Sequence, residues 1–252
     1  MIELKDFRAG YRGMEKIRIE ELEIERGQIL GILGRNGSGK STLLRALVGI
    51  IPYEGHAFLN QKELADMKPG ERAVRIAYLP QQLSPVHMSV TTLAAHGRFA
   101  RMTFSKVMGQ KDREAVRSAL ERTGLWEERY RSVAELSGGE RQRAYLAMIL
   151  AQGTDYLLLD EPAASLDISH QIEIIKLLKD LAAEGRGIVI TSHDLPQSVY
   201  CCDRICLIDR GKGGPSIPAA VLAEEKEMLH RTLGVTLVSS VKGLYPYVLD
   251  RL

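Results

Sequence analysis

Nine consecutive residues constrain this chain more than any others: Gly34-Arg35-Asn36-Gly37-Ser38-Gly39-Lys40-Ser41-Thr42. The first eight fit the pattern G-x-x-x-x-G-K-[ST]. An apolar run, Ile29-Leu30-Gly31-Ile32-Leu33, leads in, and a helical stretch over 41–48 leads out. A strand that turns through glycines into a helix aims successive backbone N–H groups at one point. The helix N-terminus adds partial positive charge there. In this frame Gly34, Asn36, Gly37, Ser38, Gly39 and Thr42 form a phosphate cradle. Lys40 reaches the terminal phosphates, and Ser41 offers its hydroxyl to Mg²⁺. The segment predicts a nucleoside triphosphate site built on an α/β sheet.

The rest of the chain supplies that sheet. Residues 2–7 and 17–24 alternate apolar and polar and predict half-buried antiparallel strands. Apolar runs at 29–33, 74–79, 155–159 and 187–191, with a fifth at 204–208, predict buried parallel strands. Helical patterns intervene, including 169–183 with Ile172, Ile175, Leu178 and Ala182 as its apolar face. Such alternation implies a mostly parallel sheet covered by helices. Residues 85–136 interrupt the rhythm with helical patterns such as 112–123, stopping at Gly124, and predict an inserted helical subdomain. The division expected is one domain over 1–252. Segments 1–84 and 137–212 form the core, 85–136 the insertion, and 213–252 a C-terminal extension with one helix at 219–231 and short strand-like pieces.

Composition bounds the alternatives. With 252 residues, 45% apolar and 26% charged, the chain suits one globular α/β unit with an insertion. A net charge of +2 argues against a dedicated nucleic-acid binder. No apolar stretch reaches the ~18–20 residues of a membrane helix. The first residues, Met1 to Asp6, lack the apolar core of a signal peptide. The expected location is therefore cytosolic, with any membrane role exercised through a partner. Cys201, Cys202 and Cys206 match no zinc spacing and read as small core residues.

Two further motifs carry chemistry. Asp160 and Glu161 end the run Tyr156-Leu157-Leu158-Leu159. Acidic pairs often close strands as solvated turn residues, but the carboxyl end of a parallel strand faces the ligand crevice. Asp160 can there serve the metal's water shell, and Glu161 the water that attacks the γ-phosphate. Leu136-Ser137-Gly138-Gly139-Glu140 opens a second helix, over 141–152. Ser137 taken alone is a helix N-cap; with Gly138 and Gly139 it makes a second anion-binding turn. Two cradles but one Lys-Ser-Thr suit a pair of chains face to face, each nucleotide held between Lys40 of one and Ser137 of the other.

These motifs, in this order, resemble those of the ABC (ATP-binding cassette) ATPases, over nearly the whole chain to about residue 212. The resemblance implies an α/β fold with a P-loop NTPase core of ABC-ATPase type, an antiparallel β-subdomain and an inserted α-helical subdomain. It implies ATP and Mg²⁺ as cofactors. Tyr11 is similar to the aromatic that stacks on adenine. Gln81, or Gln82 beside it, matches the glutamine that joins core to insertion and meets the metal. Ser165-Leu166-Asp167 matches the D-loop, and His193 the residue that senses the γ-phosphate. In the implied mechanism Glu161, His193 and Gln81 are catalytic, and Ser41, Gln81 and Asp160 organise Mg²⁺. Ser137, Gly138 and Gly139 serve the nucleotide of a second copy, and Asp167 is a nucleotide-binding residue.

Finer markers are similar to the ATPases of importers for ferric siderophores, haem or cobalamin. They are Ala77-Tyr78-Leu79-Pro80-Gln81-Gln82, Gly97-Arg98, and Leu166 to Gln171. Ala163-Ala164 and Pro196 depart from the common pattern without touching a phosphate position. The partners implied are a second copy, transmembrane permease subunits contacted near Gln81 and residues 84–105, and indirectly a solute-binding protein. No nucleic acid is implied. The location implied is peripheral, on the cytoplasmic side of the membrane. The alternative is a cytosolic, non-transport member such as an iron–sulfur-cluster assembly factor.

Overall fold

A computed structural model describes residues 1–102, 107–164, 166–234, 236–237 and 247–248. The chain runs β1 (Ile2–Tyr11), β2 (Met14–Ile24), β3 (Ile29–Leu33), α1 (Lys40–Leu47), β4 (Tyr53–Leu59), β5 (Lys62–Glu63), α2 (Pro69–Ala73) and β6 (Ile76–Leu79). Then come α3 (Val90–His96), α4 (Gln110–Arg122), α5 (Gly138–Gln152), β7 (Tyr156–Asp160), α6 (Ile168–Ala183), β8 (Gly187–Ser192), α7 (Leu195–Cys201) and β9 (Arg204–Asp209). The tail adds β10 (Lys212–Gly213), β11 (Ile217–Pro218), α8 (Lys226–Leu233), β12 (Thr236–Leu237) and β13 (Tyr247–Val248).

One sheet of 11 strands follows the order β5-β4-β1-β2-β10-β9-β3-β8-β7-β6, with β11 also on β9, while β12 pairs β13. Strands β9, β3, β8, β7 and β6 are parallel neighbours. Strand β1 pairs antiparallel with β2 and β4. The α/β class and its antiparallel layer are those read from the sequence.

The parallel strands are covered on both faces, which is why they read as unbroken apolar runs. Ile29, Leu33, Leu157, Leu159, Ile188 and Ile190 pack with the helices of the insertion and with α5 and α6. Leu30, Ile32, Leu158, Val189, Cys206 and Ile208 face α1 and the antiparallel strands. In β1 the buried phase jumps from Leu4 to Phe7, at a register shift between Lys5 and Arg8 where Asp6 takes a φ of 48°. That bulge keeps Phe7 and Ala9 turned inward.

Among the described residues, α3 and α4 have no core separate from that of α5. Val90, Leu93, Val116, Leu120, Leu125 and Val133 share one buried cluster with Leu146, Ala147 and Leu150 of α5. The insertion's return segment is stitched to the start of α3, with Val90 N–H donating to Arg131 O at 3.1 Å and Val133 N–H to Met88 O at 2.9 Å. Arg98 bonds Asp112 Oδ1 at 2.9 Å and Ala151 O at 2.7 Å, and Arg101 bonds Gln152 O at 2.7 Å. Two arginines thus close the last carbonyls of α5 and fasten it to the insertion.

Two expectations need correction. Ile172 is 58% exposed and not on the buried face of α6, which is Ile174, Ile175, Leu178, Leu181 and Ala182. At 100° per residue Ile172 lies about 120° from the centre of that face. The helix expected at 219–231 is two pieces, a 3₁₀ turn over Ala219–Glu224 and then α8. Glu225 between them has a ψ of 49°, outside the helical range, and so breaks the ladder. Strand β4 was not anticipated, since only Ala57 and Leu59 in it are buried.

The three cysteines are buried, and Cys206, wholly enclosed, has its thiol pushed up to about 12 by burial. Among the described residues no helix is long and apolar enough to cross a membrane.

Candidate nucleotide site

Strands β3, β8, β7 and β6 end together. Their register sets Leu33 beside Ser192, Asp160 beside Thr191, and Leu79 beside Leu159. Gly34, His193, Glu161 and Gln81 each follow one of these ends by one or two residues, so the parallel pairing alone brings them to one edge. That edge is where an open α/β sheet takes its ligands.

Three glycines shape the phosphate loop, among them Gly39, with a φ of 106° and a β-carbon position 2.6 Å from Lys16 O. Gly37 has a φ of 78°, a left-handed turn that an L side chain resists. Gly34 has no room for a side chain: a β-carbon would stand 2.5 Å from Ile208 O and 2.7 Å from Ser38 Oγ. Ser38 Oγ is itself buried and has no hydrogen-bond partner among the described residues, an orphaned donor lining the cradle. Lys40 lies buried inside the loop, with Nζ donating to Gly34 O at 2.7 Å and to Arg35 O at 3.3 Å. Burial lowers its pKa, while the Glu161 and Asp160 carboxylates act to raise it. Thr42 is buried, Ser41 half-buried and Asn36 exposed.

Across the edge stand the acidic residues. Glu161 accepts from Gln81 Nε2 at 2.8 Å and lies 3.4 Å from His193 Nδ1. Of the two adjacent glutamines, Gln81 makes this contact. Glu161 carries a left-handed φ of 50°. Asp160 is buried, and its Oδ1 accepts the Thr191 hydroxyl at 2.7 Å while Oδ2 accepts that of Tyr78 at 3.4 Å. Ser41, Asp160 and Gln81 offer only oxygen donors of the hard kind that suits Mg²⁺. The orphaned Ser38 and the crowded Gly34 fit a loop shaped around phosphate.

The remaining expected residues lie apart. Tyr11 ends β1 just before the Arg12-Gly13 turn, 37% exposed as a residue and with its hydroxyl accepting from Arg45 Nη1 at 3.3 Å. Ser137 caps α5 reciprocally, Glu140 N–H donating to Ser137 Oγ at 3.3 Å and Ser137 N–H to Glu140 Oε2 at 2.8 Å. Ser137 and Gly138 are exposed and Gly139 is half-buried. Among the described residues no hydrogen bond joins this turn to the phosphate loop. Asp167 caps α6, held well below the usual carboxylate range by the His170 N–H, the Ser169 hydroxyl and the His170 ring. Leu166 is buried, and Ser165 lies outside the described residues.

Sequence reasoning missed Thr191, Tyr78 and Arg45. Thr191 is a polar residue one before the end of an apolar strand, a visible signal, but its partner is revealed only by the register of β7 with β8.

Strand ends, phosphate loop and acidic pair together define a P-loop nucleotide-binding protein. The chain belongs to the ABC transporter family, whose profile matches residues 18–164. It is 43% identical over 199 residues to the petrobactin import ATP-binding protein FpuD of Bacillus anthracis, covering 77% of this chain and 73% of that protein. It is 37% identical over 215 residues to the hemin import ATP-binding protein HmuV of Deinococcus radiodurans, covering 83% and 81%. In fold it matches a solved structure described as a metal-chelate type ABC transporter in an inward-facing conformation. The TM-score is 0.81 at 24% identity, over 98% of this chain and 95% of that one.

Proposed function

We propose that this chain is the ATP-hydrolysing subunit that powers an ABC importer for an iron chelate or haem. The observation that carries it is the bonded group Gln81–Glu161–His193 at the strand edge that also bears the phosphate loop. The import roles in the relatives' names favour this over a cytosolic assembly factor.

In this reading Lys40 and the amides of the loop neutralise phosphate charge, and the Tyr11 ring takes the adenine. Ser41, Asp160 and Gln81 would hold Mg²⁺, which when bound neutralises charge on the phosphates. Glu161 accepts the proton of the attacking water. His193 bonds the γ-phosphate as its bond to the bridging oxygen breaks and ADP departs. Phosphoryl transfer depends mainly on positioning and electrostatics, so these groups act jointly.

Ser137, Gly138 and Asp167, exposed at helix starts, would close with the half-buried Gly139 over the nucleotide of a second copy. The insertion at 85–136 and the groove near Gln81 would meet permease subunits at the cytoplasmic face of the membrane, with a solute-binding protein acting beyond them. The core would comprise 1–84 and 137–212, and residues 213–252 would form an extension.

The test is purification of the tagged chain from its native membranes. A polytopic permease should accompany it and release with detergent. Recovery with a soluble assembly complex and no membrane subunit would overturn the transport reading and leave the ATPase intact.

A further inference from the structure

We infer that the Thr191 hydroxyl is the positioning group that sets the geometry of both acidic residues of the site. The inference rests on the reading of Asp160 and Glu161 given above. Thr191 is completely buried one residue before the end of β8, opposite Asp160 in the β7 register. Its hydroxyl donates to Asp160 Oδ1 at 2.7 Å and accepts the backbone N–H of Glu161 at 2.9 Å. One oxygen therefore joins the side chain of the first acid to the backbone of the second. A hydroxyl can do both at once, since it has one donor and two lone pairs.

The second bond matters because Glu161 sits at a φ of 50°, a conformation a non-glycine residue holds only when its surroundings impose it. The N–H···Oγ bond pins that turn, which points the carboxylate toward Gln81 and His193. The first bond orients Asp160 without occupying Oδ2, which the Tyr78 hydroxyl approaches at a longer 3.4 Å. Thr191 does not itself touch the nucleotide; it acts through its two neighbours.

Thr191→Val keeps the shape and removes the hydroxyl; Thr191→Ser keeps the hydroxyl. ATP binding is measured calorimetrically for both and for Asp160→Asn, once in EDTA and once with Mg²⁺, alongside steady-state hydrolysis. In EDTA the two threonine variants should bind ATP within about twofold of the parent, because the loop and its charges are untouched. With Mg²⁺ the gain in affinity should fall about 10- to 100-fold in Thr191→Val, the effect of losing a hydrogen bond to a charged group. Hydrolysis should fall at least as much, and Thr191→Ser should restore both. A merely structural threonine would lower the melting temperature without changing the Mg²⁺ gain. If Thr191→Val does not fold, Thr191→Cys, similar in size but a poor hydrogen-bonding group, serves the same comparison. Loss of the Mg²⁺ gain in Asp160→Asn but not in the threonine variants overturns the role of Thr191. Retention of the gain in Asp160→Asn as well overturns the assignment of Asp160, and the inference falls with it.

Discussion

Gly34→Ala should weaken ATP binding about 100-fold, although it adds a single methyl group. The methyl would stand 2.5 Å from Ile208 O, where ordinary contact begins at 3.4 Å, so something must yield by 0.9 Å. The carbonyl cannot, because β9 is paired with β3 through Leu33 and Leu207 on one side and with β10 through Ile208 and Gly213 on the other. The loop must move instead, by roughly 1 Å, and a displacement of that size at a preorganised site costs on the order of 10²-fold. Gly37→Ala supplies the contrast. Nothing lies within 4 Å of its β-carbon, so only the left-handed φ of 78° opposes it. That strain costs about 1–2 kcal/mol, or roughly 5- to 30-fold. Calorimetric titration with ATP in EDTA reads the loop alone, and a melting curve checks the fold. Parent-like affinity in Gly34→Ala, or a larger loss in Gly37→Ala, would refute the claim that β9 holds the loop in place.

Glu161→Gln should bind ATP as the parent does while hydrolysis falls ~10²–10⁴-fold, the scale of a lost general base; unchanged turnover in a phosphate-release assay would remove Glu161 from the mechanism. Glu140→Ala should destabilise the chain by about 1 kcal/mol near neutral pH, through loss of the reciprocal cap on α5. The Ser137 N–H and then its hydroxyl hold Glu140 below its usual 4.5. A carboxylate lowered on folding stabilises above the unfolded value and loses that contribution as pH falls through the folded one. The difference in denaturant midpoint between parent and Glu140→Ala should accordingly be full above about pH 4.5 and shrink below it; a difference that grows in acid contradicts the cap.

The sequence exposed those parts whose physics is local. A phosphate loop is written in adjacent glycines, and a strand buried on both faces is a continuous apolar run, so β3, β7, β8 and β9 were legible. Position around a helix is less so. Ile172 is as apolar as Ile175, and only the angle at which α6 meets the sheet exposes one and buries the other. Strand β4 hid because only two of its seven residues, Ala57 and Leu59, are buried. The union of Gln81, Glu161 and His193 followed from strand order, which motif identity anticipated. The bond from Thr191 to Asp160 did not, because residues 31 apart carry no mark of their register.

The fastening of α5 by Arg98 and Arg101 has a mechanical consequence. Fifteen residues long, α5 is a rod of roughly 22 Å. One end is gripped at Ala151 and Gln152; the other ends in the Ser137 turn. Packed along its length against α3 and α4, α5 turns with them as one body, and a tilt of about 10° about the gripped end would sweep the turn through roughly 4 Å. That travel exceeds the length of a hydrogen bond. A small swing of α3, α4 and α5 together would therefore carry the Ser137 turn beyond hydrogen-bonding reach of its starting position.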